Sequence, residues 1–246
     1  MNSKRLMIVL SYAGTKFYGW QIQNKGRTVQ GVLEVALARM HKHPVRVNAA
    51  GRTDSGVHAH GQVCHFDTDL NIPENRYSKA INSFLPDDIE ILKSVYVNSS
   101  FHARFSAKRR VYKYYLAEST GYTVFNKQFC TMVRNMPEIE IMNGCAGLLE
   151  GIHDFTTFTS AGDKNESKIR EIYSAVFYLE GDSIVFKIEG SAFLWKMVRS
   201  VVGTILKYSS SNSGESGFLS ALESKDRSLA GTTAPAKGLF FHKVYY

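Results

Sequence analysis

The order of the predicted strands and helices constrains the fold most, because this order nearly repeats in the two halves of the chain. Apolar periodicity predicts strand, helix, strand, strand, helix, strand in the first half, at 5–12, 28–41, 45–50, 57–66, 74–84 and 89–97. The second half is similar in outline, with elements predicted at 111–118, 137–150, 169–179, 183–189, 193–207, 216–224 and 239–246. This pattern predicts an α+β protein of two related split-βαβ halves, the RRM or ferredoxin-like arrangement, with a mixed and largely antiparallel sheet. The predicted domains are residues 1–104 and 105–246.

The charge balance is basic, with a formal net charge of +8 over 246 residues. A basic excess attracts polyanions, of which nucleic acid is the usual one, although many basic proteins bind no anion. Three widely spaced cysteines indicate free thiols and a cytoplasmic location. An apolar run of 18 residues is absent from the sequence, so we expect no membrane partner.

The segment AAGRTDSGVHAHGQ, residues 49–62, contains the first candidate for chemistry. Asp54 follows a predicted strand and precedes Ser55 and Gly56, which places it in a turn or loop. Such a carboxylate commonly caps backbone amides, and this simpler interpretation stays open beside a catalytic one. Arg52 lies two residues earlier. It fits either a phosphate contact next to a reactive carboxylate or an ordinary surface ion pair.

Two further segments carry charges in unusual surroundings. Arg199 shares a mostly apolar predicted helical face with Trp195, Val202 and Leu206. A buried guanidinium needs a carboxylate or an anionic ligand, unless its stem covers Trp195 and its head reaches water. In KRRVYKYYL, residues 108–116, tyrosines interleave with Arg109, Arg110 and other cations. This composition suits RNA, and it equally suits a tyrosine-rich core strand with a basic edge.

Cofactor and metal motifs are absent from the sequence. His58, His60, Cys64 and His65 do not close a tetrahedral set locally, since His65 points to the other face of its predicted strand. A phosphate-binding glycine loop, a dinucleotide fingerprint and a GxSxG elbow are also missing. We therefore expect chemistry by acids, bases and rings alone, without metal or cofactor.

Taken together, six segments in order resemble the tRNA pseudouridine(38–40) synthases, which modify the anticodon stem-loop. The resemblance covers nearly the whole chain and runs through residues 12–23, 50–66, 101–114, 151–158, 191–203 and 225–246. One departure is Ala13, at a position where that family often has aspartate.

The resemblance implies a fold, an activity and a set of site residues. It makes Asp54 the catalytic aspartate, Tyr112 the active-site tyrosine that stacks on the substrate base, and Arg199 the partner of the aspartate. Arg52 would help to place the nucleotide. It also implies an active site in a central cleft, pseudouridine formation at tRNA positions 38, 39 and 40, and a homodimer that needs no cofactor.

Two other classes of function compete with this one. Paired split-βαβ halves with aromatic strands also fit a non-catalytic RNA-binding module. A second alternative is an aspartate-based hydrolase of RNA, which would need a metal cluster or a second positioned acid. The combination of Asp54 with Arg199 favours the synthase over both.

Overall fold

The computed structural model describes residues 3–119, 124 and 127–246. They form two compact units: unit 1 runs to Lys108 and includes Phe240–Tyr246, and unit 2 covers Arg109–Leu239. Ten strands and five α-helices occur within the described residues. In chain order they are β1 Lys4–Tyr12, α1 Val29–His41, β2 Asn48–Ala49, β3 His58–Thr68, α2 Glu74–Asn82, β4 Ile89–Val97, β5 Arg109–Glu118, β6 Thr131–Val133, α3 Ile139–Gly147, β7 Gly151–Asp154, β8 Ile169–Glu180, β9 Ser183–Gly190, α4 Met197–Ser209, α5 Gly214–Ser224 and β10 Leu239–Tyr245.

Unit 1 is built on a sheet in the order β4-β1-β3. Its β1 strand lies antiparallel to both neighbours, β2 pairs antiparallel with β3, and the first residues of β10 pair with β3 in parallel. Helix α1 buries one apolar face, as its 3.6-residue period predicts. The buried members of that face include Val29, Leu33, Ala36 and Leu37. The succession βαββαβ with this strand order is the split-βαβ arrangement.

Unit 2 has a sheet in the order β5-β9-β8-β7, and these neighbours are antiparallel. The short β6 pairs in parallel with β5. Strands β8 and β9 form the predicted hairpin, which turns at Gly181 with φ of +60°. Helices α3, α4 and α5 pack against one another on this unit.

The predicted α+β class with a mixed sheet is confirmed, and several element boundaries differ. The predicted strand 45–50 is reduced to the two residues of β2, and β6 and β7 were not predicted. Helix α4 begins at Met197 rather than at 193, because Lys196 has a left-handed backbone with φ of +61°. Residues 105–108 and 240–246, which the predicted domain boundary gave to the second domain, belong to unit 1.

Three properties of the described residues bear on the compositional expectations. Cys64, Cys130 and Cys145 are buried thiols that are not joined in a disulfide. No helix in the described part of the chain has the length and apolar character needed to cross a bilayer. Within the same residues, no three or more His, Cys, Asp and Glu side chains are grouped so that they could hold a metal ion.

Candidate active site

Asp54 lies in the loop that joins β2 to β3, as its turn-forming neighbours predict. We call residues 50–57 the Asp54 loop. Asp54 itself is half-buried, between the buried Thr53 and the exposed Ser55. The backbone NH of Val57 donates to the carbonyl oxygen of Asp54 at 3.2 Å, which closes a tight turn through Gly56 with φ of +79°.

Main-chain contacts hold the Asp54 loop against the segment that follows β1. The NH of Trp20 donates to the Thr53 carbonyl at 3.1 Å, and the NH of Gly56 donates to the Phe17 carbonyl at 3.2 Å. Gly19 is required at this approach, since its φ is +84° and a Cβ there would lie 2.6 Å from the Thr53 carbonyl oxygen. The path of the loop is therefore set largely by backbone groups on both sides of the aspartate.

A buried polar network lies beneath the same loop. The hydroxyls of Tyr12 and Thr53 are 2.8 Å apart, and both side chains are buried. The fully buried Gln62 on β3 donates from its amide to the Gly51 carbonyl at 2.9 Å. Burial raises the pKa of Tyr12, so its hydroxyl stays protonated and available as a donor. Buried polar groups of this kind fix one geometry, because breaking any bond leaves a partner unsatisfied.

A charged pair braces the segment on which the Asp54 loop rests. Arg27 binds the Asp88 carboxylate with two hydrogen bonds, Nη1–Oδ2 at 2.6 Å and Nη2–Oδ1 at 2.7 Å. Its guanidinium also lies 4.1 Å from the centroid of the Phe17 ring. The Arg27 hydrogen bonds hold the pKa of Asp88 below its usual range. The Phe17 carbonyl accepts the hydrogen bond from the NH of Gly56 in the Asp54 loop. The Arg27–Asp88 pair therefore helps to fix the segment against which the loop packs.

Arg52 has an exposed side chain in the Asp54 loop. Among the residues that the structure describes, no carboxylate forms an ion pair with it, which argues against the surface ion-pair interpretation. An exposed guanidinium near a candidate catalytic carboxylate suits a phosphate oxygen, which it binds through two parallel hydrogen bonds. Arg52 and Asp54 are the two candidates that unit 1 brings together.

Tyr112 lies on β5 in unit 2, and the two faces of this strand differ as the alternation predicts. The Tyr112 ring is 8% exposed and packs edge-to-face on Phe193, with centroids 5.0 Å apart. Tyr114 on the same face is fully buried in the core, which fits the core-strand interpretation for this tyrosine. On the other face, Lys113 and Tyr115 both bind the Glu180 carboxylate, at 2.7 and 3.1 Å.

Arg199 lies in the first turns of α4 and is half-buried. Its Nε donates to the carbonyl of Ala234 at 2.8 Å, while the NH of Ala234 donates to the carbonyl of Arg199 at 3.0 Å. The helix approaches this segment closely, since a Cβ on Gly203 would overlap the Thr232 carbonyl oxygen. The expected face shared with Trp195 is wrong, because Trp195 precedes the helix and is 45% exposed. The guanidinium is thus aimed by a backbone carbonyl.

The structure also shows what surrounds the guanidinium of Arg199 within unit 2. Tyr114 donates its hydroxyl hydrogen to the Pro235 carbonyl at 2.7 Å, next to the Ala234 anchor of Arg199. Burial raises the pKa of Tyr114, and its bond to Thr131 and the positive charge of Arg199 act in the opposite direction. Arg199 and its anchoring segment therefore lie close to β5, the strand that carries Tyr112.

Arg109 and Arg110, the predicted RNA contacts, both make contacts within unit 2. Arg109 forms an ion pair with Glu189 at 3.0 Å, and its side chain is 40% exposed. Arg110 is buried and donates from Nη1 to the Ser191 carbonyl at 2.6 Å. Arg110 thus joins β5 to the segment leading into α4.

The sequence did not reveal the residues that position the Asp54 loop. Tyr12, Thr53 and Gln62 act through buried hydrogen bonds, and Gly19 acts through its backbone angle. The signal available for Gln62 was a polar side chain at a buried position of a strand. Gly19 is recognisable in the sequence as a loop glycine, but the sequence does not show which residue its backbone approaches.

Comparison with known proteins gives one consistent result. A family model described as tRNA pseudouridine synthase matches residues 8–106 and 145–246. A tRNA pseudouridine synthase A of Geobacillus sp. (strain WCH70) is 45% identical over 245 residues, 99% of each chain. Proteins with the same name from Borrelia garinii subsp. bavariensis and Treponema denticola are 44% and 43% identical, over 99% and 100% of this chain and 99% and 94% of their own. One chain of a solved Cbf5-Nop10-Gar1 complex is similar over 98% of this chain and 57% of its own, with 10% identity and a TM-score of 0.35, too weak a likeness to carry an argument.

The chain belongs to the tRNA pseudouridine synthase family. It is accordingly an enzyme, an isomerase that acts on uridines of tRNA. The predicted family membership is confirmed, which decides against a purely non-catalytic RNA-binding module and against a hydrolase. Asp54 lies in the first range matched by the family model and Arg199 in the second, whereas Tyr112 lies between the two.

Proposed function

We propose that this chain forms pseudouridine at positions 38, 39 and 40 in the anticodon stem and loop of tRNA, with Asp54 as the catalytic carboxylate. The observation that carries the proposal is 45% identity over 99% of the chain to a tRNA pseudouridine synthase A, together with the rigid loop that presents Asp54. The choice of positions rests on the resemblance of the six segments to tRNA pseudouridine(38–40) synthases. The enzyme acts in the cytoplasm as a homodimer, so that one tRNA contacts both subunits.

The reaction breaks the N1–C1′ bond of uridine, rotates the base and joins C5 to C1′. The hydrogen on C5 is released and N1 gains a hydrogen, so the atoms of substrate and product are the same. The uracil leaves the base stack before protein groups reach it. An ionised Asp54 serves as the nucleophile toward the nucleoside, or it stabilises the positive charge that develops on the sugar.

The remaining roles follow the resemblance. Tyr112 stacks on the uracil, and its hydroxyl moves a proton late in the reaction. Arg199 is the partner of the aspartate and favours its ionised form, as a cation near a carboxylate does. Arg52 binds a phosphate of the flipped nucleotide, which its exposed side chain supports. Arg109 and Arg110 are proposed as weaker contributors to RNA binding.

The decisive experiment compares wild type with Asp54→Asn on an unmodified tRNA transcript. The amide keeps the shape of the side chain and removes its charge. We expect pseudouridine formation to fall by at least about a thousandfold, while the Kd for tRNA changes by no more than about twofold. Asp182→Asn is the matched control, because Asp182 is exposed at the β8–β9 turn. Conversion by Asp54→Asn at the wild-type rate would contradict the mechanism.

Mapping the modified nucleotides tests the proposed positions separately from the chemistry. Pseudouridine at 38, 39 or 40 is the expected result. Pseudouridine only elsewhere in the tRNA would contradict the positions and leave the family assignment intact.

Arg199→Leu should lose activity; a fully active variant would show that Arg199 serves packing alone. Sedimentation of the free enzyme tests the homodimer.

A further inference from the structure

A second exposed feature lies at the other end of the unit 1 sheet from the Asp54 loop. The antiparallel β1 strand ends beside the Asp54 loop and begins at that other end. There Arg5 donates to two carbonyl oxygens of the segment 99–106, at 2.6 and 2.9 Å. We call this segment the 99–106 loop. Between His58 and His65, β3 advances by seven residues, or about 23 Å.

The 99–106 loop is held firmly by its surroundings. The Tyr246 hydroxyl donates to the Ala103 carbonyl at 2.9 Å, and the Tyr246 ring packs on Phe101 with centroids 4.8 Å apart. The NH of Ala103 donates to Nδ1 of the buried His65 at 3.1 Å. Two more hydrogen bonds, of 2.8 and 3.0 Å, join His102 with Ser106 across the turn. The conformation of the loop is therefore fixed before any ligand binds.

This rigid loop displays an aromatic ring to solvent. Phe105 is 75% exposed, the most exposed large apolar side chain among the described residues. One side of it contacts the His102 ring, with centroids 4.4 Å apart, and the Arg104 guanidinium lies 5.5 Å from its centroid. A ring held in place loses little conformational freedom on binding, so it is well suited to an interface.

The charge around the ring identifies the kind of partner. Residues 91–108 of unit 1 include Lys93, Arg104 and Lys108 and not one aspartate or glutamate. Within unit 1, Arg104 and Lys108 lie in or directly after the 99–106 loop, and both are exposed. An exposed ring flanked by cations matches the chemistry of RNA, in which bases stack on rings and phosphates meet cations. An apolar protein partner would not require this surplus of positive charge.

We propose that the 99–106 loop is a second contact surface for the tRNA, with Phe105 stacking on an unpaired base. Arg104 and Lys108 bind the adjacent phosphates. The inference rests on the proposed function for its substrate. Because about 23 Å separates this loop from the Asp54 end of the sheet, the stacked base is a different one from the target uridine, and we place it outside the anticodon hairpin. The surface therefore lets the enzyme distinguish a folded tRNA from an isolated anticodon hairpin.

The test compares Phe105 variants on two RNAs, a full-length tRNA transcript and its isolated anticodon hairpin. For Phe105→Ala we expect KM and Kd for the full tRNA to rise about tenfold, with kcat unchanged and the hairpin unaffected. Phe105→Trp should retain tight binding, because it keeps a stacking face. Phe105→Leu should behave as Phe105→Ala, because its apolar side chain has no such face. Phe84→Ala, the same change at another partly exposed phenylalanine of unit 1, is the control.

Several outcomes would overturn the proposal. An unchanged Kd of Phe105→Ala for the full tRNA would refute it, as would equal losses for tRNA and hairpin. A shift of Phe105→Ala to a smaller species in sedimentation, with Phe105→Leu normal, would assign the loop to a second copy of the chain. Failure of the proposed function has a different signature, since wild type would then form no pseudouridine in either RNA. In that case the Kd of Phe105→Ala for the full tRNA, compared with that of wild type, still decides whether the 99–106 loop binds RNA.

Discussion

Replacing Tyr12 by phenylalanine tests whether the network beneath the Asp54 loop positions the aspartate. The change removes one hydroxyl from a buried side chain and leaves the buried Thr53 hydroxyl without its partner at 2.8 Å. A net hydrogen bond contributes about 1 kcal/mol, and an unsatisfied buried group raises the cost to about 1–3 kcal/mol. We expect the free energy of unfolding to fall by about 1–2 kcal/mol.

The same change should also slow catalysis. Thr53 precedes Asp54, so a loss of about 1 kcal/mol in the preference for the native loop geometry corresponds to about a fivefold lower kcat. Single-turnover pseudouridine formation measures this rate, and thermal unfolding measures the stability. Tyr77→Phe is the matched control, because the Tyr77 hydroxyl is bonded to Thr68 and Leu70 at the opposite end of the sheet. This variant should lose similar stability and keep its kcat.

A double-mutant cycle with Thr53→Val identifies the interaction itself. The two single changes should couple by about 1 kcal/mol, because they remove the two partners of one bond. Thr53→Val alone should cost less than Tyr12→Phe, because the Tyr12 hydroxyl still interacts favourably with the Gln62 side chain. Additive effects, or a Tyr12→Phe variant that is less stable with an unaltered kcat, would refute the positioning role.

Two further predictions concern pH. Asp88→Asn removes the charge and one of the two oxygens that bind Arg27 and should lower the free energy of unfolding at pH 7 by about 1 kcal/mol, a value discounted for partial exposure. Since Arg27 depresses the pKa of Asp88, this stabilisation is present above the ordinary pKa of an aspartate and is lost as the pH falls through the depressed one. Thermal unfolding measured from pH 7 to 3 should show this loss of stability in wild type and not in Asp88→Asn. Parallel pH profiles of the two proteins would contradict the prediction. Burial lowers the pKa of His65 to about 4, so the folded state disfavours its charged form and stability should decline as the pH falls from about 6.5 to 4, by up to about 3 kcal/mol. His65→Asn should flatten that decline, and hydrogen exchange of the Ala103 NH should report whether acid releases the 99–106 loop.

Periodicity predicted most of the fold because each amphipathic element here buries one face. Helix α1 and strand β3 lie within two residues of their predicted bounds. The short strands β6 and β7 were not predicted, because three or four residues carry too little hydrophobic pattern to be recognised as a strand. Trp195 was placed on the helix with Arg199 because nothing in its residue type signals the left-handed backbone at Lys196.

The candidate site was only partly predictable for a related reason. Asp54 and Arg52 were found from residue type and resemblance, but their loop is held by backbone groups of residues 17–20, which leave no side-chain signature. Arg110 could have been placed better. It alternates with Tyr112 and Tyr114 on one face of β5, and this period of two already turns it inward.

The return of the chain to unit 1 has a consequence for synthesis on the ribosome. Unit 1 lacks the strand that pairs with the start of β3 until Phe240 and Phe241 are made, long after Lys108. During that interval, the β3 residues next to the Asp54 loop present an unpaired edge, and His58 lacks the Phe240 ring on which it stacks. A nascent chain would thus acquire its finished catalytic loop late, and truncation before residue 240 should leave unit 1 prone to aggregation.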